Sequence, residues 1–251
     1  MGKADRQRTA RDRLAVERVR EEQRQKRNKA IGISVAAVTI LAVVVGIGVW
    51  VAKIKNSGAA TVYTGPVAPV TRETTGSITM AKPGVATPKL EIFEDFQCPI
   101  CQQFEQTSGG TIKRLAAQGR VRVNYWPFQL FPQEPLAGNS QRAANAALCV
   151  PAGKWIPFHD TLYKNQPPEG TTGFSSKQLV RWGHDVGVTG QAFAACVNGL
   201  QKKAQLLSMT TYAEQQRGIS GTPTVFLNGK DLALNTVLDP TSLEKAVLAA
   251  K

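Results

Sequence analysis

The sequence has few residues of the kinds that bind metal ions, with two histidines and four cysteines in 251 residues. A structural zinc site usually takes four Cys or His ligands in closely spaced pairs. Cys98 and Cys101 form one close pair, but neither His159 nor His184 is spaced to complete a site with them. We therefore predict no metal and no cofactor, and a metal site stays as the main alternative for this cysteine pair.

Acidic residues are scarce relative to basic ones, which gives the chain a formal net charge of +13. The excess is greatest in residues 1–30, which contain eleven Lys or Arg and five Asp or Glu. A basic chain can bind nucleic acid. Because this tract lies directly before an apolar run, we interpret it as a signal of membrane topology and predict no nucleic-acid partner.

Charged residues are absent from residues 31–52, which have the sequence IGISVAAVTILAVVVGIGVWVA. At a rise of about 1.5 Å per residue, a helix over this range would be about 33 Å long, enough to cross a hydrocarbon core of roughly 30 Å. A cleavable signal peptide has a shorter apolar region and a small-residue cleavage site, and no convincing site precedes Lys53. We predict an uncleaved signal anchor that contacts the lipid bilayer.

The flanks of this span predict its orientation. Four basic residues between positions 24 and 29 precede it, and Lys53 and Lys55 follow it. The positive-inside rule therefore places the N-terminus in the cytoplasm and the folded domain outside it, in a single-pass protein of the cell membrane. The predicted parts are a basic cytoplasmic tail (1–30), the transmembrane anchor (31–52), a flexible linker rich in Ser, Gly, Thr, Pro and Ala (53–76), and a folded domain (77–251).

From Ser77 onward the pattern is typical of an α/β domain. Strand, helix and strand follow one another, which is the unit of a parallel sheet, and a mainly helical block at about 137–217 comes next. Asn228-Gly229 predicts a two-residue hairpin turn, and Asp239 and Pro240 predict the start of a last helix. The predicted elements are strands at 77–80, 89–96 and 121–128, a helix at 102–118, strands at 224–227 and 231–234, and a helix from 240 to 248.

Two of the cysteines form the motif Cys98-Pro99-Ile100-Cys101 where a predicted strand gives way to a helix. A helix N-terminus stabilises a thiolate, because it carries partial positive charge and unpaired N–H groups. Pro99 suits the first helical turn, since its missing N–H would have no partner there. We expect Cys98 to face solvent and Cys101 to lie deeper in the helix.

A second motif, Gly221-Thr222-Pro223-Thr224, precedes the strand at 224–227. Proline can adopt a cis peptide bond at modest cost. A cis bond between Thr222 and Pro223 would expose backbone groups beside a neighbouring site. The sequence alone leaves the isomer of this bond open.

Three segments together resemble the DsbA-like thiol–disulfide oxidoreductases, and more narrowly the membrane-anchored members of Gram-positive-type bacteria. They are FEDFQCPICQQFE (93–105), FHDTLYKNQP (158–167) and GISGTPTVFLNGK (218–230). The resemblance runs from about Ser77 to Lys251 and implies a thioredoxin fold with an inserted helical domain. It implies that Cys98 is the nucleophile, that Cys101 resolves it, and that Thr222–Pro223 is a cis-proline pair that faces the disulfide and helps to hold substrate.

The sequence departs from this family at two positions. Ile100 stands where many oxidising members have a histidine, which can stabilise the thiolate as isoleucine cannot. Ile92 stands where the family often has a buried acid, six residues before the first cysteine. Strand alternation places Glu94 on the same face as Ile92, so Glu94 could substitute for that acid. The alternative is that Glu91, Glu94 and Asp95 are solvated acids at the end of a strand.

Cys149 and Cys196 lie in predicted helices and have apolar neighbours. Outside the cytoplasm such a pair favours a structural disulfide. The alternative is two buried free thiols, which pack as small apolar side chains.

These features predict thiol–disulfide exchange on secreted or cell-envelope proteins, with disulfide formation favoured over reduction or isomerisation. A membrane redox partner would recycle the active-site pair. A non-enzymatic thioredoxin-like binding module is the alternative from another functional class. Trp126, Phe128 and Phe131 could line a peptide groove, but packing in the core is the preferred interpretation.

Overall fold

The computed structural model describes residues 63–250. The predicted basic tail (1–30), the predicted anchor (31–52) and the first part of the predicted linker lie outside the described residues. Among the residues from 63 to 250, no helix is both long enough and apolar enough to cross a membrane.

A mixed sheet of six strands lies at the centre of the domain, with the spatial order β1-β2-β4-β3-β5-β6. Strands β3 and β4 are parallel, and all other neighbours are antiparallel. Nearly every residue of β3 and β4 is buried, which shows that both faces of the central sheet are covered. The strands are β1 (Val70–Arg72), β2 (Ile78–Met80), β3 (Lys89–Glu94), β4 (Arg122–Pro127), β5 (Thr224–Leu227) and β6 (Lys230–Asp231).

Helix α1 (Pro99–Ala117) connects β3 to β4, so the predicted strand–helix–strand unit is confirmed. In the parallel pairing Lys89 lies opposite Arg122 and Glu94 lies opposite Pro127. This topology places the end of β3, and the cysteine motif that follows it, at the carboxyl edge of the central sheet. Ligand and catalytic sites of open α/β sheets commonly lie at this edge.

The chain between β4 and β5 is mainly helical, as predicted for about 137–217. Its first helix, α2, packs against α5 and α6, and α3 packs against α1. These elements are α2 (Leu136–Cys149), a short 3-10 helix (Ala152–Lys154), α3 (Trp155–Lys164), α4 (Ser176–Asp185), α5 (Gln191–Asn198), α6 (Lys203–Thr211) and a π-helical turn (Tyr212–Gln216).

The end of the chain contains the predicted hairpin turn and the predicted last helix. Asn228 and Gly229 both have positive φ, at 48° and 79°, as a tight two-residue hairpin turn requires. Helix α7 (Leu234–Leu238) follows β6, and α8 (Pro240–Ala249) begins where Asp239 accepts a hydrogen bond from the Ser242 N–H at 2.6 Å. This N-cap agrees with the prediction from Asp239 and Pro240.

Two boundaries differ from the sequence predictions. The range 53–76 is predicted as a linker, but Val70–Arg72 form β1 and pair with β2. A three-residue edge strand is too short to produce an alternating pattern. The strand predicted at 231–234 is also wrong in its bounds, because β6 ends at Asp231 and Leu234 begins α7.

Of the three aromatic residues near the end of β4, two lie in the hydrophobic core and one lies at its edge. Trp126 is 6% exposed and Phe128 is 1% exposed, so both pack in the core as preferred above. Phe131 is half-buried and packs against the core from its edge.

Candidate active site

The cysteine motif occupies the junction between β3 and α1. Cys98 is the N-cap residue of α1 and Pro99 is its first residue, and the Cys98 side chain makes no capping hydrogen bond. The unpaired N–H groups of the first turn therefore stay available to the Cys98 sulfur. Cys101 is fully buried and Cys98 is 5% exposed, so Cys101 is the deeper of the two, but Cys98 is largely covered rather than open to solvent.

The second motif lies directly against Cys98, although the two are 124 residues apart in the sequence. The Cys98 thiol donates a hydrogen bond to the carbonyl oxygen of Thr222 at 3.3 Å. The peptide bond between Thr222 and Pro223 is cis. The residues predicted as the cis-proline pair and as the reactive pair are thus brought together at one edge of the sheet.

The two thiols have opposite electrostatic surroundings. A hydrogen bond from the Cys101 thiol lowers the pKa of Cys98 to about 7, and the backbone N–H groups of Ile100 and Cys101 act in the same direction against burial. Burial raises the pKa of the Cys101 thiol well above its ordinary value, and the charges of Cys98 and Glu94 add to this effect. Cys98 is therefore the thiol that ionises near neutral pH, and Cys101 keeps its proton.

A family model described as Thioredoxin matches residues 83–247. The chain belongs to this thioredoxin family. It is similar to the thiol:disulfide interchange protein DsbA of Yersinia pestis, with 24% identity over 174 residues that cover 68% of this chain and 80% of the relative. It is also similar to DsbA of Pectobacterium carotovorum, with 26% identity and coverage of 66% and 78%.

Solved structures of oxidoreductases are also similar to this thioredoxin-family domain. The reduced form of the disulfide bond oxidoreductase DsbG from Mycobacterium tuberculosis is 26% identical, with a TM-score of 0.58 over 72% of this chain and 85% of that chain. MdbA of Corynebacterium diphtheriae has a TM-score of 0.61 at 19% identity over 74% and 96%, which supports the fold alone. The protein is a DsbA-like thiol–disulfide oxidoreductase, as the resemblance in the sequence implies.

The reactivity of the DsbA-like site should follow the ionisation of Cys98. In the reduced protein we expect iodoacetamide to alkylate Cys98 with a rate that rises between pH 6 and 8, with a midpoint at about pH 7. Cys101 should stay unmodified across this range, because burial holds its thiol protonated. Peptide mass spectrometry after timed alkylation distinguishes the two sites, and faster modification of Cys101 would reverse the assignment of their roles.

A segment at the end of α3 holds the active-site loop in place through hydrogen bonds. The Gln166 side-chain amide donates to the carbonyl oxygens of Phe96 at 2.8 Å and Cys98 at 3.0 Å. The Gln102 amide donates to the Tyr163 carbonyl oxygen at 2.7 Å. The helical insertion of this thioredoxin fold therefore holds the loop that carries Cys98, which the sequence did not predict.

Asp95 connects three parts of the site through one carboxylate. It accepts hydrogen bonds from the Gln97 N–H at 2.8 Å, the Leu130 N–H at 2.8 Å and the Ser140 hydroxyl at 2.7 Å. Burial raises the pKa of Asp95 to about 6, against the lowering effect of these donors. The alternative of a solvated acid is wrong for Asp95, because this carboxylate is fully buried and supports the active-site loop.

Glu91 and Glu94 are buried as well, so the solvated alternative is wrong for all three acids. Glu91 lies 3.2 Å from both the Lys89 ammonium and the Arg217 guanidinium, as part of a structural ion pair. Glu94 lies 2.9 Å from Nε2 of His159, and both side chains are fully buried. His159 is consequently a buried structural residue, whereas His184 is exposed.

Glu94, Glu105 and His159 form the one group in residues 63–250 whose acidic and histidine ligand atoms all lie within 4.8 Å of one another. Nε2 of His159 faces Glu94, and Nδ1 faces Asp160 at 3.2 Å. Against the lowering effect of burial, the charges of Glu94 and Glu105 and the hydrogen bonds to Asp160 and Glu94 raise the pKa of His159 to about 10. A protonated ring has hydrogen on both nitrogens and no lone pair for a metal ion. The geometry thus fits a buried charge group better than a metal site.

Cys149 and Cys196 are joined by a disulfide with an S–S distance of 1.99 Å. The bridge connects the end of α2 to α5 within the helical insertion. It leaves Cys98 and Cys101 as the free cysteines of the described chain. The two cysteine pairs of this oxidoreductase therefore differ in chemical state.

Proposed function

We propose that this protein forms disulfide bonds in secreted or cell-envelope proteins, through Cys98-Pro99-Ile100-Cys101, while residues 31–52 anchor it in the cell membrane. The observation that carries the proposal is the contrast between the two thiols. Cys98 has a lowered pKa and adjoins Thr222, whereas Cys101 is fully buried. Stabilising the thiolate of the reduced form makes a dithiol pair a better oxidant.

The reaction starts when a substrate thiolate attacks the sulfur of Cys98 in the oxidised pair. Cys101 leaves, and a mixed disulfide joins substrate to Cys98. A second substrate thiolate then attacks the substrate sulfur, so that the substrate gains a disulfide and both Cys98 and Cys101 are reduced. Attack falls on Cys98 because Cys101 has no exposed surface.

Substrate binding and turnover need two further partners in this proposal. The backbone beside the cis Thr222–Pro223 bond lies against Cys98 and offers a place for an extended substrate segment. A membrane redox partner takes the electrons and returns the pair to the disulfide form. The predicted position outside the cytoplasm agrees with the Cys149–Cys196 disulfide, because such bonds persist in oxidising compartments.

The reduction potential of the Cys98–Cys101 pair, measured for the full-length chain in glutathione buffers, tests the direction. We expect a value between about −180 mV, as in protein disulfide isomerase, and about −120 mV, as in DsbA. The variant Ile100→His should move the potential further in the oxidising direction, because an added donor stabilises the Cys98 thiolate. A value near about −270 mV, as in thioredoxin, would favour a reductase supplied with electrons from the membrane.

A further inference from the structure

The chain that leads to the cis Thr222–Pro223 bond starts from a π-helical turn. Helix α6 continues into this turn (Tyr212–Gln216), in which the Arg217 N–H bonds to the Tyr212 carbonyl oxygen at 3.0 Å. In an α-helix, side chains five residues apart point about 140° away from each other, since each residue turns by about 100°. The wider π-helical turn brings Tyr212 and Arg217 to the same side, where Nη1 of Arg217 is 3.2 Å from the Tyr212 hydroxyl.

The Arg217 guanidinium is held by a carboxylate and by three aromatic rings. Its Nη1 donates to Oε1 of Glu91 at 3.2 Å, and Glu91 is buried on β3. Its central carbon lies 4.6 Å from the ring centroid of Phe226, 5.1 Å from that of Phe93 and 6.0 Å from that of Tyr212. A cation over an aromatic face is attracted by the ring, and a planar guanidinium has several donors in a fixed fork. These contacts attach the end of the π-helical turn to β3 and β5.

Arg217 joins the two stretches of chain that lead into the active site. Phe93 precedes Cys98 by five residues, and Thr222 follows Arg217 by five residues. Thr224, at the start of β5, is paired with Phe93 of β3. At the far end of the two stretches, the Cys98 thiol donates to the Thr222 carbonyl oxygen at 3.3 Å. The contact of Arg217 with Phe93 therefore connects the base of the stretch that carries Cys98 with the base of the stretch that carries Thr222.

The loop between Arg217 and Thr222 is open to solvent over much of its length. Gly218 and Ser220 are exposed, whereas Ile219 packs in the core. Gly218 has a φ of 66°, so the chain turns sharply out of the π-helical turn directly after Arg217. The position of Thr222 therefore depends strongly on the point at which Arg217 ends the turn.

We propose that Arg217 is a positioning residue for the substrate-holding backbone beside Cys98, an inference that rests on the proposed exchange reaction. By fixing the end of the π-helical turn on Glu91 and the aromatic rings, Arg217 keeps the Thr222 carbonyl oxygen and the cis bond in place against Cys98. A polypeptide substrate that lies along this backbone depends on Arg217, and a small dithiol does not. Even a small displacement of a bound substrate from the reacting atoms lowers its rate by a large factor.

The test compares a peptide with a small dithiol as the reductant of the full-length oxidised chain. A reduced peptide with two cysteines and dithiothreitol each give two electrons and two protons to the Cys98–Cys101 disulfide and become disulfides themselves. Acid quenching and mass spectrometry measure both second-order rate constants. We expect Arg217→Met, which packs on the same rings but donates no hydrogen bond, to lower the peptide rate constant by about 10-fold and to leave the dithiothreitol rate constant unchanged.

Three further variants separate the contacts of Arg217. Lys89→Met is the matched control, because the Lys89 ammonium lies 3.2 Å from the same Glu91 oxygen but comes from β3, and it should match the wild-type chain with both reductants. Arg217→Lys keeps the charge over the rings without the planar fork, and should restore part of the peptide rate constant. Tyr212→Phe keeps the ring and loses the hydroxyl, and should lower the peptide rate constant by roughly 3-fold.

The ratio of the peptide rate constant to the dithiothreitol rate constant decides the outcome, because a merely destabilised fold would lower both. An unchanged ratio in Arg217→Met overturns the proposal. If that variant does not fold, the same ratio in Tyr212→Phe decides. A reduction potential near that of thioredoxin, with a peptide rate that still depends on Arg217, would count against the proposed function alone, since Arg217 would hold the substrate in either direction of exchange.

Discussion

A Cys101→Ala variant is expected to accumulate mixed disulfides between Cys98 and substrate proteins, whereas Cys98→Ala should form none. Removal of Cys101 leaves Cys98 at the N-terminus of α1 and beside Thr222, so the attacking sulfur keeps its position. The buried thiol that we propose as the resolving group is absent from this variant. Electrophoresis of the thiol-blocked protein, with and without reductant, measures the trapped species directly.

Cys101→Ser provides a matched control for the electrostatic part of this result. The hydrogen bond from Cys101 is the largest cause of the lowered pKa of Cys98, and a serine hydroxyl can still donate to that sulfur. We expect both variants to trap substrate, with Cys101→Ser reacting faster near neutral pH because it keeps more thiolate at Cys98. Equal trapping by the Cys98 and Cys101 variants would contradict the assigned roles.

The central part of the fold could be predicted from the sequence because its signals are local. The β-branched and aromatic residues of β4 and the apolar positions of α1 each fall within one short segment. The predicted start of α1 at Gln102 is three residues late, since the helix begins at Pro99. Proline at the first helical position carried the necessary signal, because it fits there without loss of a hydrogen bond.

The buried charge group could be predicted only in part. Glu94 was identified from strand alternation, but its partner His159 follows it by 65 residues and no local pattern connects the two. A helical pattern was nevertheless present in α3, where Trp155, Phe158, Leu162 and Tyr163 are buried on the same side as His159. A histidine among such residues indicates a buried position that needs charged or polar partners.

The hydrogen bonds that hold the active-site loop could not be predicted from the sequence, for a different reason. Gln166 and Asp95 act through backbone groups, namely the carbonyls of Phe96 and Cys98 and the N–H groups of Gln97 and Leu130. Backbone donors and acceptors have no signature in the side-chain sequence. Their partners are known only when the chain is folded.

Loss of the Cys149–Cys196 disulfide is expected to lower the free energy of unfolding by about 4 kcal/mol. The two cysteines are 47 residues apart, so in the reduced chain the unfolded state regains much conformational freedom. Urea unfolding of the double variant Cys149→Ala, Cys196→Ala, compared with the wild-type chain, measures this difference. The variant Cys98→Ser, Cys101→Ser keeps the bridge and should lose less stability than the bridge variant.

The structural bridge should also affect the redox site, because it secures the insertion that contains Gln166. Helix α2 packs against α3 and α5, and the segment after α3 holds the carbonyls of Phe96 and Cys98. A loosened insertion therefore weakens the support of the active-site loop, and we expect slower exchange in the double variant at temperatures where the domain is still folded. Stability and exchange rates that both match the wild-type chain would mean that the two cysteines do not form a stabilising bridge in the protein.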